Sequence, residues 1–206
     1  MIKKIKRIMK SIKKRVKKDE KYLRESPKNI YDAVDFLRKV HVDSAHSVVI
    51  DRIRNKIITG RSVDVGFVVN ESAKWNCGAL LSEMKKDQYF NPTIILSVRD
   101  LKGSTPEERK DLYLKTRQFY LNIDENLVDL YDWQNDLLKP IEDLQADILF
   151  FQQPWSMNDF PRRIIGKSLG IYMHYGFMMM ANHGMHYNVG TFHSYLWKYF
   201  TQTEGH

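Results

Sequence analysis

Apolar residues follow two rhythms along this chain, and the alternation between them predicts the fold. Ile2, Ile5, Ile8, Met9, Ile12 and Val16 recur at three- and four-residue steps with lysines between them, the spacing of one apolar helix face. Ser26-Pro27 interrupts that pattern. A second helical period runs from Ile30 to Ile57. Val34, Leu37, Val40, Val48, Val49, Ile53 and Ile57 are expected to form its buried face, with His41 and His46 as ordinary helix-face residues. Gly60 ends the run.

From there the rhythm becomes that of short, continuously apolar segments. Asp64–Val69 and Thr93–Val98 read as buried strands, as do Ile148–Phe151 and Gly170–Met173. Between them lie helical stretches. Asn70-Glu71-Ser72 is a polar turn able to cap a helix from Lys74 to about Asp87, with Cys77 in mid-helix as a packed thiol. Asn91-Pro92 is punctuation before the next strand. Thr105-Pro106-Glu107-Glu108 is a strong start for a helix reaching about Leu121: a capping Thr, Pro at the first helical position and Glu at the third. Leu127–Tyr131 reads as a weak strand and Leu137–Leu144 as a short helix around Pro140. Strands alternating with helices of ten or more residues predict βαβ units. The fold class is therefore α/β, a Rossmann-like three-layer sandwich with a mostly parallel sheet, preceded by N-terminal helices. The organisation is a basic amphipathic helix over residues 1–25, a helical segment over 26–60 and the Rossmann-like domain over 61–206.

Charge changes this picture at one end only. Residues 1–24 hold twelve of the 33 basic residues against Asp19 and Glu20, and the remaining 21 basic and 23 acidic residues nearly cancel. The leading segment thus carries +10 in a chain whose net charge is +8. Lys3, Lys4, Lys6, Arg7, Lys10, Lys13 and Lys14 fit an anionic membrane surface, each contributing about 1 kcal/mol near the headgroups. The competing reading is a solvated helix whose stripe packs on the domain or on a partner. Nucleic acid is not expected as a partner, because no aromatic residue interrupts these lysines to stack on bases. No run reaches the roughly 18 to 20 consecutive apolar residues of a spanning helix, and one cysteine leaves no internal disulfide. The expected location is cytoplasmic, peripheral on the inner face of the cell membrane.

Candidate chemistry gathers at strand ends, since ligands of open parallel sheets bind outside the carboxyl ends of the strands. Gln152, Gln153, Pro154 and Trp155 follow one strand; His174, Tyr175 and Gly176 follow the next. The turn VNESAKW after the first strand contains no glycine, which argues against a dinucleotide fingerprint there. Trp155 is placed either to floor a polyol or sugar or to pack beneath its own loop. Arg162 and Arg163, just after Pro161, either hold a phosphate or form a solvated helix turn. His183 and His186 have no nearby acid and are separated by Gly184, so no metal site is expected. Met178–Met180 read as adaptable packing. No nucleophilic triad has a local signature.

Three stretches together resemble the CDP-glycerol glycerophosphotransferase-like family, bacterial transferases that extend teichoic-acid-like or capsular polymers. They are ESAKWNCGALLSEMKKDQYF (Glu71–Phe90), ADILFFQQPW (Ala146–Trp155), and GIYMHYG (Gly170–Gly176) with Tyr187-Asn188 and Leu196–Phe200 downstream. The resemblance spans roughly Val63 to His206. It implies one half of a GT-B-type architecture, the half that handles the acceptor, with the CDP-activated donor bound by a second half. This chain would then bind no cofactor itself. Its partners would be a polymer or lipid-linked acceptor, the membrane and a separate nucleotide-binding half. Trp75, Gln152, Gln153, Trp155, Arg162, Arg163, Tyr175 and Gly176 become substrate-binding candidates, and His174 the candidate base that deprotonates an acceptor hydroxyl. The family's His-Gly-Thr setting differs here, with Tyr175 before Gly176 and His174 one place earlier. Adjacent strand residues point to opposite faces, so His174 is alternatively a hydrogen-bonded strand-end residue. The rival to a transferase half is a non-catalytic binding or scaffolding domain held at the membrane.

Overall fold

The computed structural model describes residues 27–99, 103–157, 159–173 and 190–200. The chain divides into two compact units, Met1–Val42 and Asp43–His206. A helix α1 (Pro27–Ile58) crosses that division. No helix among the described residues is long and apolar enough to cross a membrane.

The second unit is an α/β sandwich. Its strands are β1 (Val63–Val69), β2 (Phe90–Leu96), β3 (Val128–Asp129), β4 (Tyr131–Asp132), β5 (Leu137–Leu138), β6 (Ile148–Phe151), β7 (Leu169–Met173) and β8 (Lys198–Phe200). Its further helices are α2 (Gly78–Lys86), α3 (Pro106–Leu121), α4 (Phe160–Arg163) and α5 (Gly190–His193). Six strands form one sheet in the order β3-β2-β1-β6-β7-β8, every neighbouring pair parallel. β4 and β5 form a separate antiparallel pair. The chain winds outward from β1 to β3, returns to β6 beside β1, and winds outward again. The winding reverses between β1 and β6, which makes that junction the topological switch point of a doubly wound sheet.

Burial on both faces explains the continuous apolar strands. On one face Val63, Val65, Phe67 and Val69 of β1 pack with Leu81 of α2 and Tyr113 and Tyr120 of α3. On the other, Val68, Ile95, Leu149 and Phe151 pack with Phe160 of α4, Ile164 and Phe192 of α5. Gly66 belongs to that second face. A Cβ there would lie 2.3 Å from Ile95 Cδ1 and 2.6 Å from Leu149 Cδ2, so the glycine lets side chains from both neighbouring strands close over β1.

Several expected boundaries are corrected. The strand expected at Thr93–Val98 begins instead at Phe90 and includes Asn91-Pro92. Proline is tolerated because β3 pairs only with Ile95 and Leu96, which leaves one side of β2 unladdered at Pro92. The helix expected from Lys74 starts at Gly78, after a single 3-10 turn at Ser72–Lys74. Cys77 therefore occupies the N-cap position rather than mid-helix. The helix expected over Leu137–Leu144 is β5 followed by a 3-10 turn at Ile141–Asp143. β8 was not anticipated, being a three-residue segment too short for periodicity to register.

α1 buries less of itself than its apolar pattern implied. Val34, Leu37, Val40, Val48 and Ile57 are exposed. In the second unit His46 and Val49 are buried, and Ile53 packs on the first core layer. Neighbouring helix residues differ by about 100° in direction, so Val48 cannot share the face of Val49. The end of α1 is secured by charge. Asp147 accepts hydrogen bonds from Arg52 Nε (3.1 Å), Lys56 Nζ (2.5 Å) and the Asp64 backbone N–H (3.0 Å). Lys56 also bridges to Asp64 at 2.7 Å. Gly60, at φ +69, then closes the helix. Its N–H reaches the Ile57 carbonyl and the Arg61 N–H reaches the Lys56 carbonyl, the paired bonds of a Schellman stop.

Candidate functional site

At the carboxyl rim, three neighbouring strands release polar residues in register. Val69 of β1 is level with Leu96 of β2, and Val68 is level with Phe151 of β6. One step past the β1 and β2 ends, and two past β6, this register aligns Ser97, Asn70 and Gln153 in one transverse row. The ladder persists to that level, because the Ser97 N–H still donates to the Val69 carbonyl at 2.8 Å. Side chains alternate between faces along a strand, and the two glutamines are sorted accordingly.

Gln152 turns to the first face. Its Nε2 donates to Asn76 Oδ1 at 2.9 Å and to Cys77 Sγ at 3.4 Å, tying the end of β6 to the start of α2. Burial pushes the Cys77 thiol up to about 11, with the Gln152 hydrogen bond opposing. That thiol is protonated at neutral pH and is a packing group, not a nucleophile.

Gln153 turns to the second face, where its Nε2 donates to Asn70 Oδ1. Asn70, Ser97 and Gln153 are all at least 97% buried. Even so, Asn70 Nδ2, Ser97 Oγ and Gln153 Oε1 have no hydrogen-bond partner among the described residues. Buried polar atoms are rarely left so, and three lie in one row.

A charged rim adjoins the row. Glu71 accepts from Lys74 Nζ at 2.8 Å and lies 3.2 Å from Arg99 Nε. Its carbonyl accepts from the Tyr120 hydroxyl at 2.8 Å, which ties the turn to α3. The Lys74 ammonium sits 5.9 Å from the centre of the Trp155 ring, within the reach of a cation–π contact. Among the described residues, two cations thus surround this one carboxylate.

No family model, curated protein or solved structure matches this chain.

The expected site residues divide accordingly. Gln152, Gln153 and Trp155 gather at the switch point. Trp75 is part of the packing beneath it, edge-on to Phe67 at 6.0 Å and to Tyr120 at 5.4 Å. Arg163 is engaged with Glu142 at 2.7 Å, in the 3-10 turn that leads toward the amino end of β6, while Arg162 of the same helix is exposed. The crossover that begins at Gln152 has already descended the sheet by Arg163, so this arginine stands apart from the carboxyl rim. His174, Tyr175 and Gly176 lie outside the described residues, as do His183, His186, Met178–Met180 and the basic residues Lys3 to Lys14. Asn70, Ser97 and Arg99 were not anticipated. Asn70 and Arg99 directly follow expected strands, whereas Ser97 falls inside the strand expected at Thr93–Val98, and recognising a shared row requires the pairing register.

Among the cavities elsewhere in the described residues, two adjoin the central sheet. One of about 230 Å³ lies over Gly66, Thr93 and Ile95, bounded by Leu144 and Ala146. Another, of about 320 Å³, is lined by Arg52, Lys56, Asp147 and Lys167 at the amino ends of the strands. Charges in the second are already engaged: Arg52 and Lys56 with Asp147, and Lys167 Nζ with the Glu142 carbonyl. Neither cavity lies at the switch point.

Proposed function

We propose that this chain is the acceptor-side half of a CDP-glycerol:polymer glycerophosphotransferase-like enzyme in bacterial cell-wall or capsular polymer synthesis. The observation that carries the reading is the gathering of Asn70, Ser97, Gln152, Gln153 and Trp155 at the switch point of a doubly wound sheet, the place where such sheets bind ligands. The family resemblance supports it independently, because two of its three stretches, Glu71–Phe90 and Ala146–Trp155, meet at that crevice. An acceptor of this kind carries hydroxyls and phosphodiesters. Neutral amides and a hydroxyl beside the net-positive group of Lys74, Arg99 and Glu71 offer complementary chemistry to both.

Transfer in this reading is in-line attack of an acceptor hydroxyl on the β-phosphorus of the CDP-activated donor, with CMP leaving. This chain contributes acceptor positioning, which alone can account for several kcal/mol of the barrier. A separate nucleotide-binding half contributes the donor and its charge stabilisation. The membrane is the second partner. Tyr31, Val34, Leu37 and Val40 are exposed on the described part of the first unit, and the twelve basic residues of 1–24 precede them in the chain.

Combining this chain with a nucleotide-binding half, CDP-glycerol and a lipid-linked glycerol phosphate acceptor is expected to release CMP in proportion to acceptor elongation. Acceptor binding without CMP release under those conditions would favour the scaffolding role instead.

A further inference from the structure

We propose that the two cavities beside the central sheet form one binding groove for a small organic carboxylate with an apolar body of about ring size. The proposal is independent of the transferase reading, because neither cavity lies at the switch point. The two share Asp64, Leu144, Gln145 and Ala146 in their walls, and so adjoin. One is apolar and the other charged. An apolar recess joined to a few placed polar groups is the usual make-up of a small-molecule site.

The apolar recess has a topological cause. Parallel register sets Gly66 level with Thr93 and Ile95 level with Val128, all on the second face of the sheet. Gly66 and Thr93 have small side chains. The helices that connect β1 to β2 and β2 to β3 are α2 and α3, and both pack on the first face. Residues 143–146 border this part of the second face instead. They leave about 230 Å³ over Gly66, Thr93, Ile95 and Val128, walled by Leu144 and Ala146. An apolar cavity of about 150 Å³ takes benzene, so this recess has room for a ring. Asp143 and Gln145 on its border are exposed, and Val128 is 40% exposed, which gives a ligand its way in.

The charged cavity, of about 320 Å³, sets the ligand's sign. Asp64 and Asp147 are matched by Lys56 and Arg52. Glu142 is matched by Arg163 from outside the cavity. Lys167 is then in excess: its ammonium donates to the Glu142 carbonyl at 3.1 Å and meets no carboxylate among the described residues. Arg52 stands beside it. The Arg52 Nη2 donates to the Lys167 carbonyl and its Nε to Asp147, while Nη1 has no partner among the described residues. One excess cation next to an unused guanidinium edge suits a single carboxylate. A dianion carries more charge than Lys167 offsets and is repelled by Asp147 and Asp64.

The test is calorimetric titration of the full chain with 4-phenylbutyrate. The uncharged 4-phenylbutan-1-ol, acetate and inorganic phosphate serve as comparisons. Phenylbutyrate is expected to bind saturably at one site, the alcohol about tenfold more weakly, and acetate and phosphate weakest of all. Lys167→Met, at an exposed position, keeps the stem and removes the charge. It is expected to weaken phenylbutyrate about tenfold and to leave the alcohol unchanged. Thr93→Phe places a ring in the recess and is expected to abolish binding of both; if it fails to fold, Lys167→Met carries the test. Four results would each overturn the proposal. They are no saturable binding, equal binding of acid and alcohol, acetate or phosphate binding as tightly as phenylbutyrate, and binding that Lys167→Met leaves unmoved. The last would place the ligand on another apolar surface, such as the exposed part of α1.

Discussion

Asp147 is where one side chain does most to join distant parts of the second unit. It is 4% exposed and meets Arg52 and Lys56 from the helix and the Asp64 backbone from the first strand. The cations it holds keep access to water, Arg52 at 42% and Lys56 at 18% exposed, so removing Asp147 costs about the net worth of its charge-assisted hydrogen bonds, roughly 1.5–3 kcal/mol. Asp147→Ala is therefore expected to lower the urea midpoint by that equivalent, with the slope of the transition unchanged. Lys56 keeps Asp64, so a loss below about 1 kcal/mol would mean that Asp64 alone is sufficient. His46 gives a second test. Burial holds its imidazole below the ordinary value, against the opposing Tyr195 backbone contact and Asp43. A histidine whose folded value is depressed contributes stability that is complete above about pH 6.5 and lost as pH falls toward the folded value. Unfolding midpoints of the native chain are expected to drop between pH 7 and pH 5, and His46→Leu to flatten that drop. Parallel curves for the two proteins would place its origin elsewhere. Sequence marked neither role: Asp147 carries no reading of its own, and His46 reads as a helix-face residue.

Among the elements, α3 was the most legible because its start is encoded locally. Thr105 Oγ accepts from the Glu108 N–H at 3.2 Å, and Glu108 Oε2 accepts from the Thr105 N–H at 2.8 Å. Pro106 follows at the first helical position. Thr105→Ala is expected to reduce stability by about 1 kcal/mol, and Thr105→Asp by much less, since aspartate also caps; urea denaturation of both variants distinguishes capping from general disruption. The four central strands were legible for a related reason, being buried on both faces and so apolar at consecutive positions. Elements ruled by non-local contacts were not. α2 starts late because Asn70, Glu71 and Lys74 have partners across the rim and not at a helix end. α1 exposes Val48 and Ile57 because only one stripe of it can meet the sheet, and apolar spacing alone does not say which.

For the molecule as a whole, the uneven charge makes the strongest prediction. Three reversals in the basic N-terminal segment, Lys3→Glu, Lys6→Glu and Lys10→Glu, are expected to weaken binding to vesicles containing anionic lipid on the order of 100-fold, at about 1 kcal/mol per basic residue lost. Salt is expected to weaken the native chain similarly. Leu37→Ser, on the exposed apolar part of α1, should weaken binding further without altering its salt dependence. Co-sedimentation equally strong with neutral vesicles would contradict an electrostatic attachment.

The linear order of residues was sufficient to determine the α/β class, the central strands, the start of α3 and the concentration of positive charge at one end. Each of these depends on periodicity or on contacts within a few positions. It was also enough to mark Gln152, Gln153 and Trp155 as strand-end residues. Tertiary structure alone decided that β6 returns beside β1, and hence that Ser97, Asn70 and Gln153 stand level with three of their buried polar atoms unmet. Lateral strand order and register come from hydrogen bonds between segments dozens of residues apart. No local rhythm carries that information.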